Sequence, residues 1–200
     1  MTRLAIIGGG AWGTALAQVA AASGDEVLLC ARSPEVVNAI NSANENPLYL
    51  PGQKLSPAIR ASTDLSELMN YDAWLVVTPA QHMRSVLEFA RSEGKPLILC
   101  AKGIEERSGQ LMHDVARQTC PGSPILVLSG PTFAHEVAAG LPTAVTLACD
   151  DQSLGETLRR RLGVPAFRIY LSDDVAGAEI GGAVKNVLAI ACGVVEGKGL

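Results

Sequence analysis

Apolar and polar residues alternate along the chain in segments that predict strands and helices in turn. Short and nearly continuous apolar runs, for example residues 74–78 and 125–128, indicate strands that are buried on both faces. A longer segment that favours a helix follows most of these runs. Because the alternation is regular and no internal repeat interrupts it, the sequence predicts an α/β fold with a doubly wound, mostly parallel sheet and right-handed crossovers.

Eight strands are predicted in this way, and they cover residues 3–7, 26–30, 59–61, 74–78, 96–101, 125–128, 143–149 and 167–171. The predicted helices cover residues 11–22, 34–44, 81–92, 110–119, 133–139 and 153–162, and a short helix opens at residues 63–65. Gly24 is predicted to close the first helix, and Ser33 to cap the second, with Pro34 at its first position. Residues 46–52 are predicted to be a loop, because two prolines and a glycine exclude regular structure there.

The pattern changes after Asp174. Residues 175–196 contain no strand signal, and their apolar side chains recur at the spacing of one long helix. The sequence therefore predicts two units. Residues 1–174 form a dinucleotide-binding domain, and residues 175–200 form the first helix of a truncated all-α C-terminal domain.

A glycine-rich turn links the first predicted strand to the first predicted helix. Gly8, Gly10 and Gly13 have the spacing G-x-G-x-x-G. The first glycine lets the chain turn sharply, the second leaves room for a pyrophosphate, and the third lets the helix pack closely on the strand. The free N–H groups of the helix N-terminus then favour the phosphates. In this context the spacing predicts a Rossmann-type dinucleotide site rather than a merely tight turn.

The same residues allow a second interpretation, a secretory signal peptide that combines Arg3, the apolar run and residues 20–23. Three consecutive glycines in its apolar part argue against that interpretation. A second strand directly behind the helix, at residues 27–30, argues against it as well.

Composition narrows the classes of function. The chain has 200 residues, of which 48% are hydrophobic and 18% charged, and its formal net charge is −4. This charge gives no reason to expect a nucleic-acid partner, and no apolar run approaches the roughly 18 residues that a membrane span needs. The five cysteines and three histidines lack metal-binding spacing, so we expect buried thiols in a reducing cytoplasm and no metal site.

Arg32 follows the second predicted strand, where an NAD-specific fold has an acidic residue that holds the ribose 2′-hydroxyl. An arginine at this position suits a 2′-phosphate, because its planar guanidinium can bind two phosphate oxygens. The sequence therefore favours NADP over NAD, although Arg32 could also be an ordinary solvated surface residue.

Three further segments carry candidate chemistry. Lys102 and Gly130 follow strands, where ligands of open α/β sheets bind. Lys185 lies in a small and apolar helical run, where desolvation would lower the pKa of a lysine toward a range useful for proton transfer. Alternatively, Lys102 is an exposed lysine and Lys185 extends to solvent. His135 and Glu136 could form an acid–base pair, but a surface pair is favoured.

Together these segments resemble the bacterial-type NAD(P)-dependent glycerol-3-phosphate dehydrogenases. The resemblance covers essentially the whole chain. The motifs that carry it lie at residues 8–17, 101–105, 128–134, 140–144 and 181–187.

The resemblance implies that the enzyme reduces dihydroxyacetone phosphate to sn-glycerol 3-phosphate for glycerophospholipid synthesis. It implies that Lys185 is the catalytic acid/base and that Lys102 contacts both cofactor and substrate. Gly130 and Thr132 would also hold the substrate. The cofactor contacts that it implies beside the glycine-rich turn are Ala11, Trp12, Arg32, Tyr49 and Ala134.

The family continues into a helical domain that supplies further substrate-binding residues, so we expect residues 1–200 alone to bind cofactor without turnover. A homodimer is possible. Two rival functions remain at this stage. One is a dehydrogenase of β-hydroxyacids or 6-phosphogluconate, and the other is a non-catalytic nucleotide-sensing module in which Lys185 would be dispensable.

Overall fold

The computed structural model describes residues 3–22 and 26–199. Gly24, the predicted end of the first helix, lies outside the described residues. The described strands are β1 (Leu4–Ile7), β2 (Val27–Cys30), β3 (Glu45–Asn46), β4 (Leu50–Lys54), β5 (Ile59–Ser62), β6 (Ala73–Val76), β7 (Leu97–Leu99), β8 (Ile125–Ser129), β9 (Thr143–Cys149) and β10 (Phe167–Ser172). The α-helices are α1 (Ala11–Ala21), α2 (Pro34–Ala43), α3 (Ala80–Ala90), α4 (Met112–Thr119), α5 (Ala134–Ala138), α6 (Gln152–Leu162) and α7 (Val175–Gly197), and a 3₁₀ helix covers Leu65–Asn70.

Eight of the strands form one sheet in the order β10-β9-β8-β7-β6-β1-β2-β5. All neighbours in this sheet are parallel except β8 and β9, which are antiparallel. The prediction of a mostly parallel, doubly wound sheet is confirmed. The chain runs outward from β1 through β2 to β5, then returns to add β6 on the other side of β1. The carboxyl ends of β1 and β6 therefore form the point where ligands of such sheets bind.

Each face of the sheet carries its own apolar core, because side chains alternate between the two faces of a strand. Ile6 and Leu29 point to the face that α1 covers, whereas Ile7 and Leu28 point to the face that α3 and α4 cover. All of these strand residues are buried. A central strand covered on both faces explains the nearly continuous apolar runs in the sequence.

The predicted loop at residues 46–52 is wrong in part, because β3 and β4 form a short antiparallel hairpin there and only residues 47–49 form its turn. Glu45 pairs with Lys54 and Asn46 pairs with Leu50, so the residues between Leu50 and Lys54 bulge out of the ladder. Pro51 lies in this bulge, where its missing N–H leaves no ladder hydrogen bond unmade. An isolated two-stranded ribbon therefore tolerates the proline and glycine that would interrupt a central strand.

Helix α7 is a single helix, as its apolar periodicity predicts, but its surroundings differ from those of the other helices. Its N-terminal half contacts the sheet, and Asp174 caps it by accepting a hydrogen bond from the Gly177 N–H at 2.8 Å. Beyond that half, its large apolar side chains are exposed, namely Val184, Val187, Leu188, Ile190, Val194 and Val195.

By length and composition alone, α7 could cross a membrane. It has 23 residues, and its apolar window has a mean hydropathy of 1.5. The expectation that no apolar run approaches this length is therefore wrong. Glycines and three charged residues, Glu179, Lys185 and Glu196, lie among the strongly apolar residues of α7, yet its alanines keep the mean hydropathy high. A helix that is covered by another part of a protein can have the same length and hydropathy, so these two quantities do not distinguish it from a membrane-spanning helix.

Four of the five cysteines are buried, and all five are free thiols; the exposed one is Cys192. Burial raises the pKa of the Cys30 thiol to about 12, so this sulfur remains protonated and packs as a small apolar side chain.

Candidate active site at the carboxyl edge of the sheet

The glycine-rich turn follows β1 directly. Gly8 has a φ of +126°, and its N–H donates to the Cys30 carbonyl at 2.8 Å, which ties the turn to the end of β2. A Cβ on Gly8 would lie 2.7 Å from the Val77 carbonyl oxygen, and a Cβ on Gly13 would overlap the Gly8 carbonyl oxygen. These two glycines are therefore required by the close approach of α1, β1 and β6.

Gly10 differs from its two partners, because a Cβ placed there would meet nothing within 4 Å. It is the N-cap of α1, and no side chain caps that helix end. The first N–H groups of α1, starting at Ala11, therefore have no intrahelical acceptor, and they lie next to the open space beside Gly10. Room beside the backbone and free N–H groups at a helix N-terminus are the features that fit a pyrophosphate.

This contrast gives a prediction for two matched substitutions. We expect Gly10→Ala to leave the melting temperature nearly unchanged and to weaken NADPH binding at least about tenfold, because the methyl group occupies phosphate space. We expect Gly13→Ala to lower the melting temperature, because the helix must move off the strand. Thermal unfolding and NADPH fluorescence titration check both. If the Gly10→Ala protein binds NADPH with normal affinity, the pyrophosphate does not bind at this turn.

The remaining predicted cofactor contacts lie around the same turn. Trp12 is half-buried in the first turn of α1. Arg32 is exposed just after β2 and forms no ion pair with any residue that the structure describes. Tyr49 is 47% exposed in the β3–β4 connection, and its N–H donates to the Asn46 side chain at 3.3 Å. The structure therefore leaves the guanidinium and the phenol ring available to a ligand.

A second group of predicted residues meets at the ends of β7 and β8. Lys102 Nζ donates to the Gly130 carbonyl at 3.4 Å. Partial desolvation lowers the pKa of Lys102, and the positive charge of nearby Lys185 lowers it further. Two ammonium groups that repel each other form a site with a clear preference for an anion between them.

Close packing of α7 brings the two lysines together. A Cβ on Gly182 would lie 3.1 Å from Ser129 Oγ and 3.7 Å from Lys102 Cγ, so only a small residue lets the helix approach the strand end this closely. One turn further along, Lys185 Nζ lies 6.0 Å from the centre of the Phe133 ring, within cation–π range. Gly182 thus has a packing reason despite its cost to helix stability, whereas a Cβ on Gly181 would meet nothing within 4 Å.

The loop that carries Lys102 is held by helix α3. Arg84 donates two hydrogen bonds to the Glu105 carboxylate, at 2.9 and 2.8 Å. The Arg84 guanidinium, with a hydrogen bond from Ser108, lowers the pKa of Glu105 to about 2. Gln81 also bonds the loop, donating to the Ile104 carbonyl at 2.9 Å. Sequence reasoning missed these contacts, because the two segments lie more than twenty residues apart.

A buried acid–base pair, His113 and Glu179, was also missed. Glu179 is 6% exposed. Its carboxylate accepts a hydrogen bond from the backbone N–H of His113 at 2.9 Å and lies 2.7 Å from Nδ1 of the His113 ring. Burial raises the pKa of Glu179, and the contacts with His113 oppose that rise. Leu111, the N-cap of α4, offers no side-chain acceptor, so Glu179 of α7 caps α4 instead. This contact fixes α7 against the sheet domain.

The other predicted residues lie near the two lysines. Thr132 is half-buried and its N–H donates to the Gly130 carbonyl at 3.1 Å, and Ala134 begins α5. His135 is exposed on α5 and Glu136 is half-buried beside it. A cavity of about 330 Å³ adjoins this region, lined by Ser129, Gly130, Thr146, Ser172, Asp174, Gly177, Ala178, Gly181 and Gly182. Among the residues that the structure describes, no three potential metal ligands of the His, Cys, Asp or Glu type cluster.

Comparisons with solved structures agree with this architecture. The crystal structure of glycerol-3-phosphate dehydrogenase from Coxiella burnetii superposes with a TM-score of 0.89 at 35% identity, covering 98% of this chain and 61% of that one. A glycerol-3-phosphate dehydrogenase from Plasmodium falciparum has a TM-score of 0.91 at 28% identity, covering 100% of this chain and 60% of that one.

Sequence comparisons point the same way. A protein named glycerol-3-phosphate dehydrogenase [NAD(P)+] from Erythrobacter litoralis is 59% identical over 98% of this chain, which spans 60% of that relative. Its namesake from Caulobacter vibrioides is 57% identical over 99% of this chain and 61% of the relative. The model of the NAD-dependent glycerol-3-phosphate dehydrogenase N-terminus matches residues 3–155, and that of the C-terminus matches residues 174–200. The chain therefore belongs to the NAD-dependent glycerol-3-phosphate dehydrogenase family.

Proposed function

We propose that the protein containing this chain is an oxidoreductase that uses NADPH, or NADH, to reduce dihydroxyacetone phosphate to sn-glycerol 3-phosphate. One observation carries the proposal. Lys102 and Lys185 converge beside Gly130, at the same edge of the sheet as the open glycine-rich turn. A phosphorylated ketone needs a cation for its phosphate and a proton donor for its oxygen, and the two ammonium groups supply both.

The residues of the turn fit a dinucleotide. Gly8 and Gly13 shape the turn, while Gly10 and the N–H groups of Ala11 and Trp12 face the pyrophosphate. Arg32 would bind a 2′-phosphate, which makes NADP the preferred cofactor. Tyr49, Lys102 and Ala134 would complete the contacts. The nicotinamide supplies the hydride when it is bound.

Substrate binding and proton transfer are assigned to the two lysines and the residues beside them. Lys102 and Thr132, with the Gly130 backbone, would hold the substrate. Lys185 would donate a proton to the ketone oxygen as that oxygen becomes an alkoxide. A proton donor is needed because the alkoxide is far too basic to persist at neutral pH. The same lysine would accept the proton in the reverse direction.

We also propose that residues 1–174 form the dinucleotide-binding domain and that residues 175–200 begin a helical substrate domain. The chain spans about 60% of the length of the curated relatives that it matches. The exposed apolar face of α7 would then be covered by the rest of such a domain or by a second copy of the protein, and the substrate site would take residues from beyond this chain. A cytoplasmic enzyme at the start of glycerophospholipid synthesis is consistent with this proposal.

The test of this proposal is NADPH oxidation by the full-length protein, followed at 340 nm. We expect oxidation only after dihydroxyacetone phosphate is added, with sn-glycerol 3-phosphate as the product. Two other results would contradict the proposal. Reduction of a β-keto acid, or reductive carboxylation to 6-phosphogluconate, would favour the rival dehydrogenases, and NADPH binding without turnover of any of these substrates would favour a nucleotide sensor.

The proposed role of Lys102 predicts that the KM for dihydroxyacetone phosphate depends on pH. Because its pKa is lowered, Lys102 loses its proton at a lower pH than a free lysine does, and a neutral amine binds phosphate poorly. We expect the KM for dihydroxyacetone phosphate to rise as the pH increases through this lowered pKa, by up to about tenfold per pH unit. Initial rates between about pH 7 and pH 10 measure this rise. Lys102→Arg keeps its charge and should flatten it, whereas a flat KM in the wild type would exclude Lys102 from phosphate binding.

A further inference from the structure

Asn46 is fully buried at the start of the β3–β4 hairpin, and its amide contacts the glycine-rich turn. Its Nδ2 donates to the Gly9 carbonyl at 3.0 Å and to Thr14 Oγ1 at 2.8 Å. Thr14 Oγ1 in turn donates to the Gly10 carbonyl at 2.9 Å. One buried amide therefore holds the Gly9 carbonyl directly. Through the Thr14 hydroxyl it also supports the Gly10 carbonyl, which accepts the Thr14 N–H at 2.9 Å as well.

Holding these carbonyls also directs the N–H groups of the same peptide units. In a planar trans peptide, the C=O of one residue and the N–H of the next point in opposite directions. With the Gly9 carbonyl held on Asn46, the Gly10 N–H points away from the interior. With the Gly10 carbonyl held on Thr14, the Ala11 N–H points outward along the axis of α1. These N–H groups border the open space beside Gly10.

The other end of the same amide holds the hairpin. Asn46 Oδ1 accepts a hydrogen bond from the Tyr49 N–H at 3.3 Å, so the segment that carries Tyr49 is tied to the turn. The amide thus uses both of its polar atoms, and a leucine of nearly the same shape could replace none of these bonds.

We propose that Asn46 is a positioning residue of the dinucleotide site, which orients the N–H groups of the glycine-rich turn toward a pyrophosphate and holds Tyr49 beside it. The proposal rests on the dinucleotide binding proposed above. Because Asn46 is fully buried, it would touch no ligand itself, and its effect should be confined to the part of a ligand that meets the turn. The adenosine end, which Arg32 would hold, should be affected much less.

The experiment compares Asn46→Leu with Asn41→Leu in the full-length protein. Asn41 is a control for the loss of amide hydrogen bonds, because its more exposed side chain also makes two backbone hydrogen bonds, both to Ala61 at 2.9 and 2.8 Å, away from the turn. NADPH and adenosine 2′-monophosphate, which lacks the pyrophosphate, serve as probes in calorimetric titrations. Thermal unfolding of each variant reports the loss of stability, and Asn46→Ala replaces Asn46→Leu if the latter does not fold.

For Asn46→Leu we expect the Kd for NADPH to rise at least about tenfold, while the Kd for adenosine 2′-monophosphate stays within about threefold. Asn41→Leu should lower the melting temperature and leave both Kd values within about twofold. The proposal is overturned if Asn46→Leu loses stability but keeps its NADPH affinity, or if both probes lose affinity equally. A wild-type protein that binds no NADPH would instead overturn the proposed function.

Discussion

Lys185→Ala in the full-length protein should lower kcat for dihydroxyacetone phosphate reduction by about 10²- to 10⁴-fold, the range typical of general acid–base catalysis. The Kd for NADPH should stay nearly the same, because the proposed role of Lys185 is to protonate the substrate oxygen and the proposed cofactor contacts are made by other residues. Steady-state kinetics and fluorescence titration measure the two quantities. An effect on kcat with little effect on cofactor affinity is the signature of a group that acts in the transition state.

Lys198 offers a control for this substitution, since it is the C-cap residue of the same helix and is exposed. Lys198→Ala should leave kcat within about twofold of the wild type. If Lys185→Ala also retained most of its kcat, Lys185 would be a structural lysine, and the proton would have to come from another group.

Arg32→Ala should weaken NADPH binding selectively. A hydrogen bond to a charged group contributes about 1.5–3 kcal/mol, so we expect the Kd for NADPH to rise roughly 10- to 100-fold. Binding of NADH, which lacks the 2′-phosphate, should change little. Fluorescence titrations with each cofactor give both values.

Arg168 is a suitable control, because it is exposed on β10 at the far edge of the sheet. Arg168→Ala should leave both affinities unchanged. Equal losses of NADPH and NADH binding in Arg32→Ala would show that Arg32 supports the site as a whole and does not recognise the 2′-phosphate.

The sequence predicts the strands of the main sheet and the helices between them in their order along the chain, because the central strands are nearly continuous apolar runs. Local sequence signals also predict the start of a helix correctly where no distant contact is involved. Ser33 Oγ accepts from the Val36 N–H at 3.4 Å, with Pro34 at the first helical position, as a predicted helix N-cap should. The direction of each strand is predicted less well, because alternating βα segments give no sign of an antiparallel pair. In the structure β9 runs antiparallel to β8.

The supporting contacts of the site are the part that the sequence does not reveal. Asn46 reads as a loop residue until tertiary structure brings it to Gly9, which lies 37 positions earlier. Glu179 and His113 are 66 positions apart, and nothing in either local segment indicates a buried pair. Propensity and periodicity describe neighbours in sequence, whereas these contacts depend on which helix packs over which strand.

The central claim is that reduction takes place where Lys185 and Lys102 meet the cofactor. A crystal structure of the full-length protein with NADP+ and sn-glycerol 3-phosphate tests it most directly. We expect the C2 hydroxyl oxygen of the substrate within about 3.2 Å of Lys185 Nζ, with its phosphate near Lys102 and its C2 atom facing the nicotinamide. A substrate bound away from both lysines, or a nicotinamide bound away from the ends of β7 and β8, would contradict the account.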